Sequence, residues 1–226
     1  MRTPFSAEQF FDVFRHYNVS VWPMQSILLA VAVVLVALAL VSPRSSRVVV
    51  AGLAALWVWM AVAYHLAYFA NLTPAAYLFA AAFLLEAGLL AWHGLRTRRL
   101  HIAVPKEPSM TTVGAVLIAF ALVGYPALAY ALGQRYPAVP TFGLPCPTVI
   151  FTFGLLTWCV RPVPRSVLWI PAAWALIGTT AAVSFGARQD FALLPAALIA
   201  LGVLLWPRKR RTPHASKTDR PLQLGF

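Results

Sequence analysis

The chain has 226 residues, 61% of them apolar and only 11% charged, where a soluble domain carries about 25% charged residues. With a mean hydropathy of +0.75, that deficit excludes a disordered, fibrous or ordinary water-soluble chain. The charge is lopsided, 18 Lys and Arg against 6 Asp and Glu. The basic residues stand in short clusters between long apolar runs, the pattern of loops between membrane spans and not of a nucleic-acid surface. Two cysteines, Cys146 and Cys159, are too few for a disulfide framework.

In chain order, the first element precedes any span. Phe10, Phe11, Phe14 and Tyr17 recur at helical spacing, with Glu8, Asp12 and Arg15 between them. This predicts a short amphipathic helix within an extracytoplasmic segment, 1–21. Such a helix either lies on the membrane interface or packs over the bundle. A span needs about 20 mainly apolar residues. Runs of that kind cover 22–42, 48–70, 75–95, 110–133, 166–186 and 191–206. A shorter apolar stretch, 148–160, follows a segment rich in proline and aromatics, 134–147. The expectation is an all-α, polytopic membrane bundle of seven transmembrane helices filling 22–206. Trp57, Trp59, Trp92, Trp158, Trp169 and Trp206 mostly fall near span ends, where interfacial anchors belong. Residues 207–226 form a basic tail, expected to be disordered and to touch anionic lipid.

Lys and Arg set the orientation. Arg44, Arg47, Arg96, Arg98, Arg99, Lys106, Arg161, Arg165 and the basic tail fall on one side. Arg2, Arg15, Arg135 and Arg188 fall on the other. The N-terminus is therefore expected outside and the C-terminus in the cytoplasm, which an odd number of spans also requires. No basic segment followed by an apolar core opens the chain, so a cleaved signal peptide is not expected.

Polar groups at membrane depth are costly, so each is a candidate for function. Glu86 stands roughly 18 Å into its span, near the bilayer midplane. It is either a neutral carboxyl in a hydrogen-bonded pocket or a proton carrier. His93 shares its helical face about two turns further on, too far away to chelate one ion with it. His65 lies on the antiparallel neighbour, level with Phe79 rather than Glu86. No His-x-x-x-His or His-Glu-x-x-His spacing occurs, so no metal site is expected, with His65 and Cys146 the weak candidates.

The break before the short span carries the most information. Pro137, Pro140, Pro145 and Pro147 forbid a regular helix before Cys146, and Gly143 permits the positive φ of a chain reversal. As a helix the following stretch is about 21 Å long, short of the ~30 Å hydrocarbon core. Short, proline-interrupted spans point to transport sites. With Pro147 at the first helical position, Cys146 is expected as the N-cap of a re-entrant helix. Its thiol then either faces an outward cavity or fills a tight turn.

Tyr17-Asn18 with Trp22-Pro23, Tyr64-His65 with Asn71, and Pro140-Thr-Phe-Gly-Leu-Pro-Cys-Pro-Thr148 form a distinctive set. Phe151-Thr-Phe-Gly154, Pro171 with Trp174, and Asp190 complete it. On these elements, from residue 8 to about 205, the chain resembles a family of uncharacterised bacterial membrane proteins, a domain of unknown function. The resemblance implies a multi-pass protein of the bacterial cell (inner) membrane and no particular activity. Asn18, Trp22, His65, Asn71, Cys146 and Asp190 all fall in the outer half of the bilayer. That common depth suggests an outward vestibule floored by the Cys146 turn.

The leading expectation is a small-solute or ion transporter or channel. Its pathway or binding candidates are His65, Glu86, His93, Asn71, Cys146, Asp190 and Asn18. An intramembrane metal- or thiol-dependent enzyme, or a membrane sensor or assembly protein, is the alternative. No cofactor is expected. Retinal is excluded because Lys106, Lys209 and Lys217 all lie outside the spans, leaving no buried Schiff base. The expected partners are the lipid bilayer and a small-molecule or ion substrate, with no nucleic acid and with oligomerisation left open.

Overall fold

A computed structural model describes residues 5–160 and 162–205; the basic tail, Trp206 and Arg161 lie outside the described residues. The described chain is helical, with two isolated bridges in place of strands. Its α-helices in order are α1 (Ala7–Ser20), α2 (Met24–Val41), α3 (Ser46–Trp59), α4 (Ala75–Ala91) and α5 (Pro108–Ala119). They continue as α6 (Tyr125–Ala131), α7 (Pro145–Thr157), α8 (Trp169–Phe185) and α9 (Leu193–Leu205).

Six helical segments are long and apolar enough to cross a membrane: Met24–Val41, Pro43–Asn71, Ala75–Arg96, Pro108–Ala131, Arg165–Phe185 and Arg188–Leu205. Each lies within a few residues of a run read from the sequence. Leu78, Val123, Val183 and Leu198 stand exposed on their outer faces, an apolar surface suited to lipid.

Three of these segments change pitch. α3 runs on into a π-helical stretch, Met60–Leu66, and α4 into Trp92–Arg96, while Phe120–Gly124 joins α5 to α6. The wider i→i+5 bonding shows in Ala67 N–H donating to Val62 O at 3.2 Å and Thr97 N–H to Trp92 O at 2.9 Å. The third has a local cause. Pro126 lacks an N–H and its ring collides with the carbonyl four residues back, and the widened turn absorbs that collision.

α7 is the hub of the bundle. All of its residues are buried, with α5, α8 and α9 packed against it. Trp57 of α3 donates from Nε1 to Thr152 Oγ1 at 3.0 Å. Thr152 and Thr157 turn their own hydroxyls onto the Thr148 and Gly154 carbonyls at 2.8 and 2.7 Å. Two glycines bring α5 close: a β-carbon on Gly154 would stand 2.7 Å from Ile118 Cγ1 and 3.2 Å from Gly114 O. Small residues are what allow such backbone approach.

At about 20 Å, α7 is too short to cross by itself, and non-helical chain extends it at both ends. The Pro-rich segment leads into its N-terminus. Below its C-terminus, Ala103 N–H donates to Trp158 O at 2.9 Å and Val160 N–H to His101 O at 3.0 Å. Ile102 N–H is met by Ser46 Oγ at 2.8 Å. Irregular backbone survives at depth where protein satisfies it in this way. Nothing in the sequence signalled the second extension.

Trp92 and Trp169 are exposed at helix ends, as anchors should be. Trp57 and Trp158, expected as anchors, are instead buried, and the Trp158 indole donates inward to Thr111 O at 3.1 Å.

α1 opens with a capping box, Ser6 and Gln9 each accepting from the other's backbone N–H at 3.2 and 2.8 Å. It buries Phe10, Phe14, Tyr17 and Asn18 against Tyr64, Phe69 and Ala187. The helix thus packs over the bundle by its aromatic face. Trp59 Nε1 donates to Tyr17 Oη at 2.8 Å. Burial pushes the Tyr17 phenol up from 10.0 to about 12. Because the folded value lies above the unfolded one, this contribution to stability is complete below pH ~10 and is lost as the pH rises towards about 12. Thermal unfolding between those limits should therefore show a fall in midpoint that Tyr17→Phe reduces. At neutral pH, Tyr17→Phe should cost about 1–3 kcal/mol, because it leaves the Trp59 N–H without its acceptor.

Candidate functional site

Under α1, between the ends of α4, α7 and α8, lies a cavity of about 240 Å³. Phe10 and Phe14 of α1 form its roof, and Tyr64, Phe69, Phe79 and Trp174 form much of its wall. Cys146 and Asp190 also line it, and Asp190 is the only charged residue among the lining side chains.

Asp190 sits in the short turn Arg188–Ala192 that opens the last apolar segment, and it is 1% exposed. Its Oδ1 accepts a hydrogen bond from the Tyr125 hydroxyl, while Oδ2 has no hydrogen-bond partner. Tyr125 is delivered to this depth by the widened turn that precedes it. The Cys146 thiol lies against the Asp190 carboxyl, with the Trp174 indole and the Tyr125 hydroxyl beside it. The Trp174 Nε1 and both polar atoms of buried Gln189 also lack hydrogen-bond partners. Most buried polar groups are paired, so a buried carboxyl with an oxygen that lacks a hydrogen-bond partner marks this place as chemically distinct.

The helix start beneath the cavity differs from expectation by two residues and in character. α7 begins at Pro145, with Leu144 as its N-cap, so Cys146 lies inside the first turn and does not cap it. Pro145 and Pro147 have no N–H to offer, and Thr148 N–H is taken by Leu144 O at 3.4 Å. The turn therefore presents little to an anion, and the thiol faces a carboxyl instead. Gly143 does take the expected positive φ, +95°, with Leu28 occupying the space where a β-carbon would project.

The other candidates are scattered. Asn18 is fully buried and holds the Pro-rich segment, donating from Nδ2 to the Pro137 and Val139 carbonyls. Asn71 is exposed and donates to Ala67 O at 3.2 Å. His65 is fully buried and boxed by the rings of Phe83, Trp174 and Phe79 at 4.7, 5.2 and 5.7 Å. It stands outside the cavity wall. Glu86 is fully buried with neither oxygen hydrogen-bonded, and it does not reach the cavity. His93 pairs through Nε2 with Ser166 Oγ at 2.9 Å. No group of three or more His, Cys, Asp or Glu that could hold a metal occurs among the described residues.

Sequence reasoning missed Tyr125 and Gln189. A hydroxyl beside a proline within an apolar span, and an amide next to Asp190, were the available signals. A second cavity of about 230 Å³ is lined by Tyr125, Gln25, Thr141 and Pro147, and Pro140 lines both cavities. The Tyr125–Asp190 bond thus joins the walls of two neighbouring spaces.

No curated protein and no solved structure matches the chain. The elements that carried the sequence resemblance nevertheless meet at this place: Tyr64, Cys146, Trp174 and Asp190 line the cavity, and Asn18 pins the Pro-rich segment above it. A family model matches residues 7–216, and the chain belongs to that family, described as a family of unknown function (DUF6064).

Proposed function

We propose that the protein is a transporter or channel for a small solute in the bacterial inner membrane, with the cavity under α1 as its solute site. In this reading α7 counts as the fifth of seven spans, the N-terminus is outside and the tail is cytoplasmic, following the basic asymmetry of the loops. The supporting observation is a cavity inside an apolar bundle whose wall holds a buried carboxyl with one oxygen free. Ligand sites are commonly this kind of mainly apolar pocket with a few placed polar groups. The described chain carries little mass outside its helices, which leaves the bundle itself to do the work.

The test is flux into proteoliposomes over a panel of amines, alcohols, carboxylates and inorganic ions. Ala181 lines the cavity from α8. Ala181→Phe should fill the space and lower flux at least tenfold while the protein elutes and melts as before. Wild-type flux absent across the panel would reject the transport reading. Flux indifferent to Ala181→Phe would place the solute elsewhere.

A further inference from the structure

We infer that the cavity selects a small organic monocation, an alkyl- or arylammonium group, with Asp190 as its counter-ion and the aromatic walls as its cage. The inference rests on the solute-site reading above and adds the chemistry of the solute.

Charge is the first argument. No Lys or Arg lines the cavity, and Arg188, close by in sequence, is exposed. Arg15 is paired with Asp12, on the exposed face of α1. A carboxylate buried without a counter-charge is unfavourable. A guest carrying one positive charge supplies what the wall does not. Tyr125 occupies Oδ1 and leaves Oδ2 free, so the carboxyl keeps one oxygen for a donor N–H.

The walls are the second argument. Ring faces attract cations through their quadrupole, and cages of such rings are how proteins hold alkylated ammonium groups. Tyr64 stacks on Phe69 with centroids 5.6 Å apart, and Phe79 meets Trp174 edge-on at 5.3 Å. These four rings line the same space as Asp190. An anion would find no cation and a proline-blocked helix start. A divalent metal would find one carboxyl and one thiol, short of the four ligands a zinc site needs.

Size is the third. At about 240 Å³, the cavity exceeds the ~150 Å³ that admits benzene and falls below the roughly 300 Å³ where drug-sized pockets begin. One ring with a short aminated arm is of the right order.

Benzylammonium, benzyl alcohol and benzoate share one shape and differ in charge, so calorimetric titration of the full chain in nanodiscs separates the possibilities. Benzylammonium should bind at least tenfold more tightly than benzyl alcohol, with benzoate weakest. Asp190→Asn should bring benzylammonium down to the level of the alcohol, and an unfolding midpoint near that of the wild type reports that the variant is folded. The wild-type comparison stands even without that variant. Equal binding of alcohol and ammonium, both abolished by Ala181→Phe, would overturn the cation inference and keep the solute site. Binding of neither would overturn it too, leaving the flux assay to decide the broader reading.

Discussion

Replacing Asn18 with alanine should destabilise the protein by about 3–5 kcal/mol, read as a drop in the unfolding midpoint. Its Nδ2 donates to Pro137 O at 2.7 Å and Val139 O at 2.8 Å, and its Oδ1 accepts from Thr141 Oγ1 at 2.7 Å. Prolines at 137 and 140 deprive this segment of N–H groups for ladder bonding, so one side chain from α1 does the holding. Each buried partner left unpaired costs about 1–3 kcal/mol. Asn18→Asp is the sharper probe, because it conserves shape while turning an acceptor towards two carbonyl acceptors. It should be at least as damaging as alanine. A loss under about 1 kcal/mol for the aspartate variant would show that the segment holds itself in place.

Gly154→Ala should lower stability by about 1–3 kcal/mol, the usual range for overpacking, and Gly154→Val by more. The added β-carbon meets not only the flexible Ile118 side chain but the Ile118 backbone nitrogen at 3.0 Å and the Gly114 carbonyl at 3.2 Å. Backbone cannot swing aside, so α5 and α7 must separate. Gly88 in α4 supplies the control, since nothing lies within 4 Å of a β-carbon there. Gly88→Ala should be neutral or stabilise by up to about 1 kcal/mol through helix propensity alone. Equal effects at the two positions would contradict the close approach.

The long spans were legible because an apolar run of sufficient length has few other uses. What the sequence withheld is azimuth, the direction each residue takes around the bundle. Lipid-facing and protein-facing leucines read alike, so nothing in 148–160 announced that the helix there would be wrapped on every side. Depth-based selection of candidates had the same weakness. It placed Asn71 and Asp190 at one level, and the structure turned the first to the surface and the second into the cavity. Tyr125 reaches Asp190 across 65 positions of chain, and no local pattern encodes that meeting. The π-helical stretches are a further reason, because each widened turn rotates everything beyond it away from the face that simple periodicity assigns.

The burial of α7 also bears on how the bundle is made. It is synthesised before α8 and α9, two of the helices that enclose it. At about 20 Å and without a lipid-facing side, it gains little from the bilayer by itself, so its final seat forms only when those later helices arrive. Asp190 is carried by the segment that opens into α9. The carboxyl therefore reaches the cavity in the same step that completes the wall around it, and a nascent chain ending soon after α7 has neither.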